Sequence, residues 1–174
     1  MLGWILFVGL SIPIVILSFP SLRNPNVHGF YSFFAFESIA GIIGLNCRVW
    51  FHDPFALHQV FSWLFLTVSI FPVVIGFYQL MHIGKPTGNF ENTTKLVTVG
   101  IYRYLRHPLY ASVFYLALGA FLKDITIVTS LLVLCATIAV SLTAHTEERE
   151  NLEKFGDEYR EYMKKTKRFV PFVY

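Results

Sequence analysis

Apolar residues fill the first 144 positions in long runs broken by short polar intervals, and the pattern changes only beyond them. A helix that crosses the hydrocarbon of a bilayer needs about 20 mostly apolar residues. Five stretches approach that length: residues 2–19, 29–47, 57–81, 108–122 and 125–144. The fourth is short, and Lys123 with Asp124 leaves almost no room for a connection, so the fourth and fifth are expected to form a tight helical hairpin. No run alternates strictly over a strand length, which leaves a membrane β-barrel without support. From Thr146 to Lys165 the period becomes that of a one-sided helix. Leu152, Phe155, Tyr159, Tyr162 and Met163 recur at steps of three, four, three and one, opposite a charged face. Glu150 with Lys154, and Glu161 with Lys165, are i,i+4 pairs in the favourable order. An amphipathic helix is expected there, on lipid or folded back over the protein, with Gly156 as its weak point. The pattern predicts an all-α integral membrane bundle of about five transmembrane helices followed by a C-terminal amphipathic helix. With no internal repeat or linker, residues 1–174 read as one domain, three N-terminal membrane helices over 1–81 and a second half over 82–174.

Composition supports the membrane reading. The chain is 55% hydrophobic and 14% charged, with a mean hydropathy of +0.55, where soluble domains run about 45–50% apolar and about 25% charged. Charge is also segregated: the first 80 residues hold only Arg23, Glu37, Arg48 and Asp53, whereas residues 147–168 hold seven basic and seven acidic side chains. Cytoplasmic loops accumulate Lys and Arg. With the N-terminus outside, one side receives 12 basic residues and the other only Arg48 and Lys123, which assigns the loop of residues 82–107 and the tail to the cytosol. The first segment lacks a basic leader and a small-residue cleavage site, so it is expected to be a retained helix. A short chain with few charged loops suits a prokaryotic plasma membrane better than an organelle. Cys47 and Cys135 both sit in apolar context and read as small buried hydrophobes.

Polar groups are costly inside a bilayer, so each one near a span is a site candidate. Glu37 lies mid-segment among phenylalanines and must be neutral, paired to another helix, or facing a wet cavity. His28 and His58, at span ends, read as interfacial residues, while His82 opens the cytosolic loop and is a candidate for chemistry. The densest cluster runs from Gly100 to Tyr110. Pro108 suits the first turn of the fourth helix, where its missing N–H costs nothing. Arg106 and His107 then precede the helix start, where open N–H groups favour a carboxylate or another anion, and Tyr110 shares a face with His107. A second cluster, Glu147 and Glu148, follows the fifth span. Glu148 extends the apolar stripe through Leu152 while Glu147 points about 100° away. A hairpin returns residues near 108 and 145 to the same depth, so Arg106, His107, Tyr110, Glu147 and Glu148 are expected to converge.

No Walker loop, G-x-G-x-x-G, H-E-x-x-H, paired C-x-x-C or G-x-S-x-G is present, so nucleotidase, hydrolase and metal-enzyme readings have no support and no metal site is expected. The basic residues lie against a bilayer rather than on a soluble face, which removes nucleic-acid binding as well.

Leu96, Val97, Gly100, Ile101 and Tyr102, then Arg106, His107, Pro108 and Tyr110, then Glu147 and Glu148, then Phe155, Gly156, Tyr159 and Tyr162 form a recognisable series. It resembles the isoprenylcysteine carboxyl methyltransferase family, with its phospholipid methyltransferase-like members, over about residues 80–174. The resemblance implies S-adenosylmethionine bound from the cytosol in a pocket closed by the tail, with a lipophilic or lipidated methyl acceptor entering from the membrane lipid. It puts His107 and Tyr110 in the cofactor pocket, Leu96, Val97 and Tyr102 along its adenosine side, and Glu147 and Glu148 at the amino end of the methionine part. It makes Arg106 a candidate to position the acceptor or the cofactor carboxylate. Family members often have Gly two residues after the motif tyrosine, where this chain has Ser112.

Methyl transfer from a sulfonium asks the protein mainly for alignment. A carboxylate acceptor needs no base, while an amine acceptor must lose a proton, for which His82, Glu37 or the glutamates are candidates. Sterol reductase-type membrane enzymes, which bind NADPH, carry a similar R-H-P-x-Y element. They show a more basic segment where Glu147 and Glu148 stand. A non-catalytic membrane protein is the third reading.

Overall fold

In the computed structural model residues 1–88 and 92–171 are described. The described residues form six α-helices and no strands: α1 Leu2–Ser18, α2 His28–Asn46, α3 Leu57–Ile83, α4 Pro108–Phe121, α5 Ile127–Phe155 and α6 Asp157–Lys165. Five of them occupy the five apolar stretches. Among the described residues α3 and α5 are each long and apolar enough to cross a membrane, while α1 and α4 are shorter apolar helices.

α2 packs along α5, α3 along α4, and α1 lies on the outside of α2. Alanines line the seams: Ala111, Ala117 and Ala120 of α4 and Ala136, Ala139 and Ala144 of α5 are all buried. Small side chains let helix backbones approach closely, which matters where lipid removes the hydrophobic drive for helices to associate. Ser112, at the position where glycine was expected, is buried and donates to the Ser69 carbonyl of α3. The α3–α4 seam is thus held by a hydrogen bond at that point.

The α4–α5 hairpin forms as expected, and Thr126 starts α5 with a capping box whose side chain accepts from the Thr129 N–H. Lys123 is not an exposed loop cation. It is 1% exposed, its Nζ donates to Gln59 Oε1 at 3.0 Å and lies 3.6 Å from the centre of the Trp63 ring. An isolated buried ammonium is expensive, and these partners replace its water.

The expected single helix from Thr146 to Lys165 is divided. α5 continues unbroken from the apolar run to Phe155, and Gly156, with φ of +56°, turns the chain into α6. That backbone conformation is open to glycine at little cost. Of the two placements foreseen for the tail, the structure takes the folded-back one: Tyr159 and Tyr162 are buried, and the Tyr162 hydroxyl donates to the Tyr102 carbonyl at 2.6 Å.

Candidate functional site

The chain enters α4 through a segment pinned on two sides. A 3-10 turn, Gly100–Arg103, is tied to α3 by the Ile101 N–H, which donates to Gln79 Oε1 at 3.1 Å, and by the Tyr102 hydroxyl, which donates to the Gly76 carbonyl at 3.3 Å. Gly100 has φ of +61°, and a Cβ there would collide with the Gln79 amide, so both backbone angle and space call for glycine. On the other side the tail returns as a strap. The N–H groups of Arg106 and His107 donate to the carbonyls of Lys167 and Arg168 at 2.7 and 3.3 Å, and the Lys167 N–H donates to the Tyr104 carbonyl at 3.1 Å. The strap thus satisfies the donors of the two residues before α4, while among the described residues no side chain caps the first turn of the helix itself. Phe169 is buried beneath it, and its carbonyl accepts from the Tyr115 hydroxyl at 3.1 Å.

The hairpin brings the two clusters together. Glu148 is buried at 3% exposure. It accepts from Arg106 Nε at 2.8 Å, and from Arg168 Nε and Nη2 at 3.1 and 2.6 Å. Two guanidiniums therefore saturate this carboxylate, one of them two-pronged, the geometry that suits arginine and carboxylate best. Arg106 spends its other end on the tail, where Nη1 donates to the Met163 and Thr166 carbonyls. Glu147 is placed differently. Its side chain keeps 29% exposure, and its Oε2 lies 3.5 Å from His107 Nδ1. The His107 ring stacks on Tyr110 with centroids 5.4 Å apart. His107 Nε2 lies 3.4 Å from Glu148 Oε1 but is buried without a hydrogen bond. The two neighbouring glutamates thus do separate jobs: Glu148 fastens Arg106 and the strap, and Glu147 is the carboxylate left partly open.

These residues follow the apolar run of α5, which ends at Ala144, and lie in its charged extension. Burial would raise both carboxyls. The His107 imidazole overrides it, with Tyr110 helping at Glu147, which is brought down to about 2. Arg168 and Arg106 help at Glu148, which is held well below the ordinary carboxylate range. Burial pulls His107 toward its neutral form, but the two glutamates outweigh it and raise its pKa. Burial pushes the Tyr102, Tyr159 and Tyr162 phenols well above their usual value, so all three stay protonated. The site is a field of fixed charge with two ionised carboxylates at its centre.

Of the residues selected from sequence, Arg106, His107, Tyr110, Glu147 and Glu148 converge. Tyr102 adjoins them through its carbonyl bond to Tyr162. Val97 is buried and Leu96 half-buried in the segment leading to the 3-10 turn. His82 stands apart: it is exposed, its Nδ1 is 2.8 Å from the Tyr78 carbonyl one turn back, and its ring stacks on Tyr78. Glu37 is paired to another helix, accepting from Ser11 Oγ of α1 at 2.8 Å, while its Oε1 has no partner. Three participants escaped sequence reasoning. Arg168 follows the last periodic residue, where no pattern announces a return to residue 106. His28 Nδ1 lies 2.7 Å from Glu150 Oε2, and its backbone N–H donates to Glu150 Oε1, which ties the start of α2 to the end of α5 across 122 positions. Its charge also helps to keep Glu147 ionised.

A family model described as phospholipid methyltransferase matches residues 57–158, from the start of α3 into α6. The chain belongs to the phospholipid methyltransferase family. The match includes α3, which the motif-based resemblance left out and which supplies Gly76 and Gln79 to hold the 3-10 turn. The chain is also 40% identical over 81 residues to the protein-S-isoprenylcysteine O-methyltransferase of Schizosaccharomyces pombe. That stretch is 45% of the present chain and 34% of the relative, so the chain covers about a third of that protein's length. No solved structure matches this family member.

Proposed function

We propose that this protein is an integral membrane, S-adenosylmethionine-dependent methyltransferase that methylates a lipophilic acceptor, an isoprenylcysteine-like carboxylate or a lipid, at the cytosolic membrane face. The observation that carries the reading is the division of labour between the two glutamates in a chain of this family. Glu148 is buried and held by Arg106 and Arg168, whereas Glu147 is ionised and partly open beside Nδ1 of His107. A partly open, ionised carboxylate on a charged wall suits a ligand that carries an ammonium, as the methionine part of the cofactor does. When bound, the cofactor supplies a methyl group activated on a sulfonium.

In this reading Glu147 holds the ammonium and favours the cationic donor. Arg106, fixed by Glu148 and the tail carbonyls, presents a rigid positive edge toward a carboxylate of the acceptor or cofactor. Val97 and Leu96 give an apolar wall for the adenosine, with Tyr102, whose phenol is spent on Gly76, behind them. A carboxylate acceptor requires no base. The proposed topology has α1–α5 crossing the membrane and the charged end in the cytosol, supported by the basic bias of 12 against two.

The test is calorimetric titration of the detergent-purified protein with S-adenosylhomocysteine, with NADPH run alongside. Micromolar binding of the homocysteine compound alone, abolished in Glu147→Ala while the variant still inserts and folds, is expected. Retained binding in the folded variant, or binding of NADPH instead, would overturn the reading.

A further inference from the structure

A second cavity, of about 470 Å³, opens on the charged end of the bundle between the 3-10 turn and α6. Thr98, Arg103, Glu161, Tyr162, Lys165 and Thr166 line it. Its back wall is shared with the site above, because the Tyr162 hydroxyl is bound to the Tyr102 carbonyl and the Thr166 carbonyl to Arg106. Its mouth is different in character. Among the described residues neither Arg103 nor Lys165 makes a salt bridge or a side-chain hydrogen bond, and the one lining carboxylate, Glu161, is held by Lys164 at 2.5 Å. The lining thus carries two cations, Arg103 and Lys165, against one carboxylate that is already paired to Lys164 outside the cavity. Lys165 sits in the last turn of α6, where the helix favours a cation without needing a carboxylate. Arg103 is held in place by a turn anchored to α3 through Gln79 and Tyr102. The two cations are therefore carried on secured backbone, and the Thr98 hydroxyl adds a donor.

We infer that this cavity is a phosphate-binding subsite, filled by a phosphomonoester whose oxygens take the Arg103 guanidinium, the Lys165 ammonium and the Thr98 hydroxyl. A phosphomonoester carries about −1.5 to −2 charges near neutral pH, for which the two unpaired cations are partners, and a guanidinium fork suits its oxygens. The cavity lies where the chain enters α4 from the charged loop, at the level of headgroups if α4 and α5 enter the bilayer there, and basic pockets at that depth bind lipid headgroups. The inference stands apart from methyl transfer, since it needs neither Glu147 nor the cofactor.

The experiment uses the full chain without cofactor. Inorganic phosphate is titrated into protein in detergent. In parallel, retention of phosphatidic acid is measured in phosphatidylcholine nanodiscs. Wild type, Arg103→Gln, Lys165→Gln, the double variant and the exposed control Lys167→Gln are compared, each checked for an unchanged melting transition. Loss of one charged hydrogen-bonding partner is expected to weaken binding roughly tenfold, the double variant to bind least, and Lys167→Gln to match wild type. Loss of both ligands together supports a subsite open to either source, and selective loss of the phospholipid assigns it to a headgroup. Equal weakening by Lys167→Gln, or undiminished binding of both probes by the folded double variant, would overturn the inference by reducing the effect to general surface charge.

Discussion

At the turn end of the α4–α5 hairpin a single buried cation, Lys123, is held by the Gln59 amide, the Trp50 carbonyl and the rings of Trp50 and Trp63. At the open end two carboxylates, two guanidiniums and an imidazole share one small volume. The turn end is completed with neutral groups: Asn46 donates to the Ala120 carbonyl, Gln59 to the Lys123 carbonyl and Ser62 to the Gly119 carbonyl. These amides and hydroxyls cap the last carbonyls of α4, and such bonds fix a helix end without placing charge in it. The open end relies on opposed charges that hold only while every member is present. One end is built for permanence, and the other keeps a carboxylate, Glu147, partly open.

The largest expected effect breaks the charged end. Glu148→Ala leaves Arg106 and Arg168 buried against each other, which should cost about 3–5 kcal/mol, read as a large fall in the melting temperature of the detergent-solubilised protein. A fall no greater than for an exposed-site control would show that the strap does not depend on this carboxylate. Lys123→Met keeps the length and removes the charge, leaving Gln59 Oε1 and the Trp50 carbonyl unpaired. A loss of about 1–3 kcal/mol is expected, with affinity for S-adenosylhomocysteine unchanged, and altered affinity would refute the separation of the two ends.

pH acts on the open end through His107 and Glu147. His107 has a raised pKa in the folded protein, so its stabilising charge is fully present below its ordinary value of 6.5 and is lost as pH rises through the raised one. Glu147 works in the opposite sense, contributing above its ordinary value of 4.5 and losing that contribution as pH falls toward about 2. Melting temperature should therefore decline on both the alkaline and the acid sides, and His107→Gln should flatten the alkaline limb. An alkaline limb of undiminished slope in that variant would assign it to another group. The smallest effect belongs to the seam between the ends: Ser112→Ala removes the bond to the Ser69 carbonyl and should cost about 1 kcal/mol, visible as a shift of a few degrees at most.

The two ends also differ in how far the sequence disclosed them. Pro108, the tight Lys123–Asp124 turn and the length of the apolar runs announced the hairpin, and the hairpin alone brings Glu147 and Glu148 to Arg106 and His107. That reasoning is local, since it needs only helix geometry and one connection. Arg168, His28 and Glu150 were hidden because their partners lie 20 and 122 positions away, at distances no period reports. The burial of Lys123 was hidden for a related reason. A cation in a turn normally meets water, and only the tertiary arrangement of Trp50, Gln59 and Trp63 encloses it. Spacing did separate the two glutamates, with Glu148 on the inward stripe and Glu147 turned away, but the partner that fastens Glu148, Arg168, lay beyond its reach.

The strap over residues 104–107 has a consequence for how the protein is made. Arg106 and His107 leave the ribosome before α4 and α5, and the carbonyls of Lys167 and Arg168 that bind their N–H groups come about 60 positions later. The neutral turn end is complete once α5 has begun, so the hairpin can settle early. The open end must wait for the returning tail, with Glu148 meeting Arg106 first and Arg168 only afterwards. The order of synthesis thus makes the charged cluster the last part of the molecule to assemble, and a chain stopped short of Arg168 would keep its hairpin while leaving that cluster unfinished.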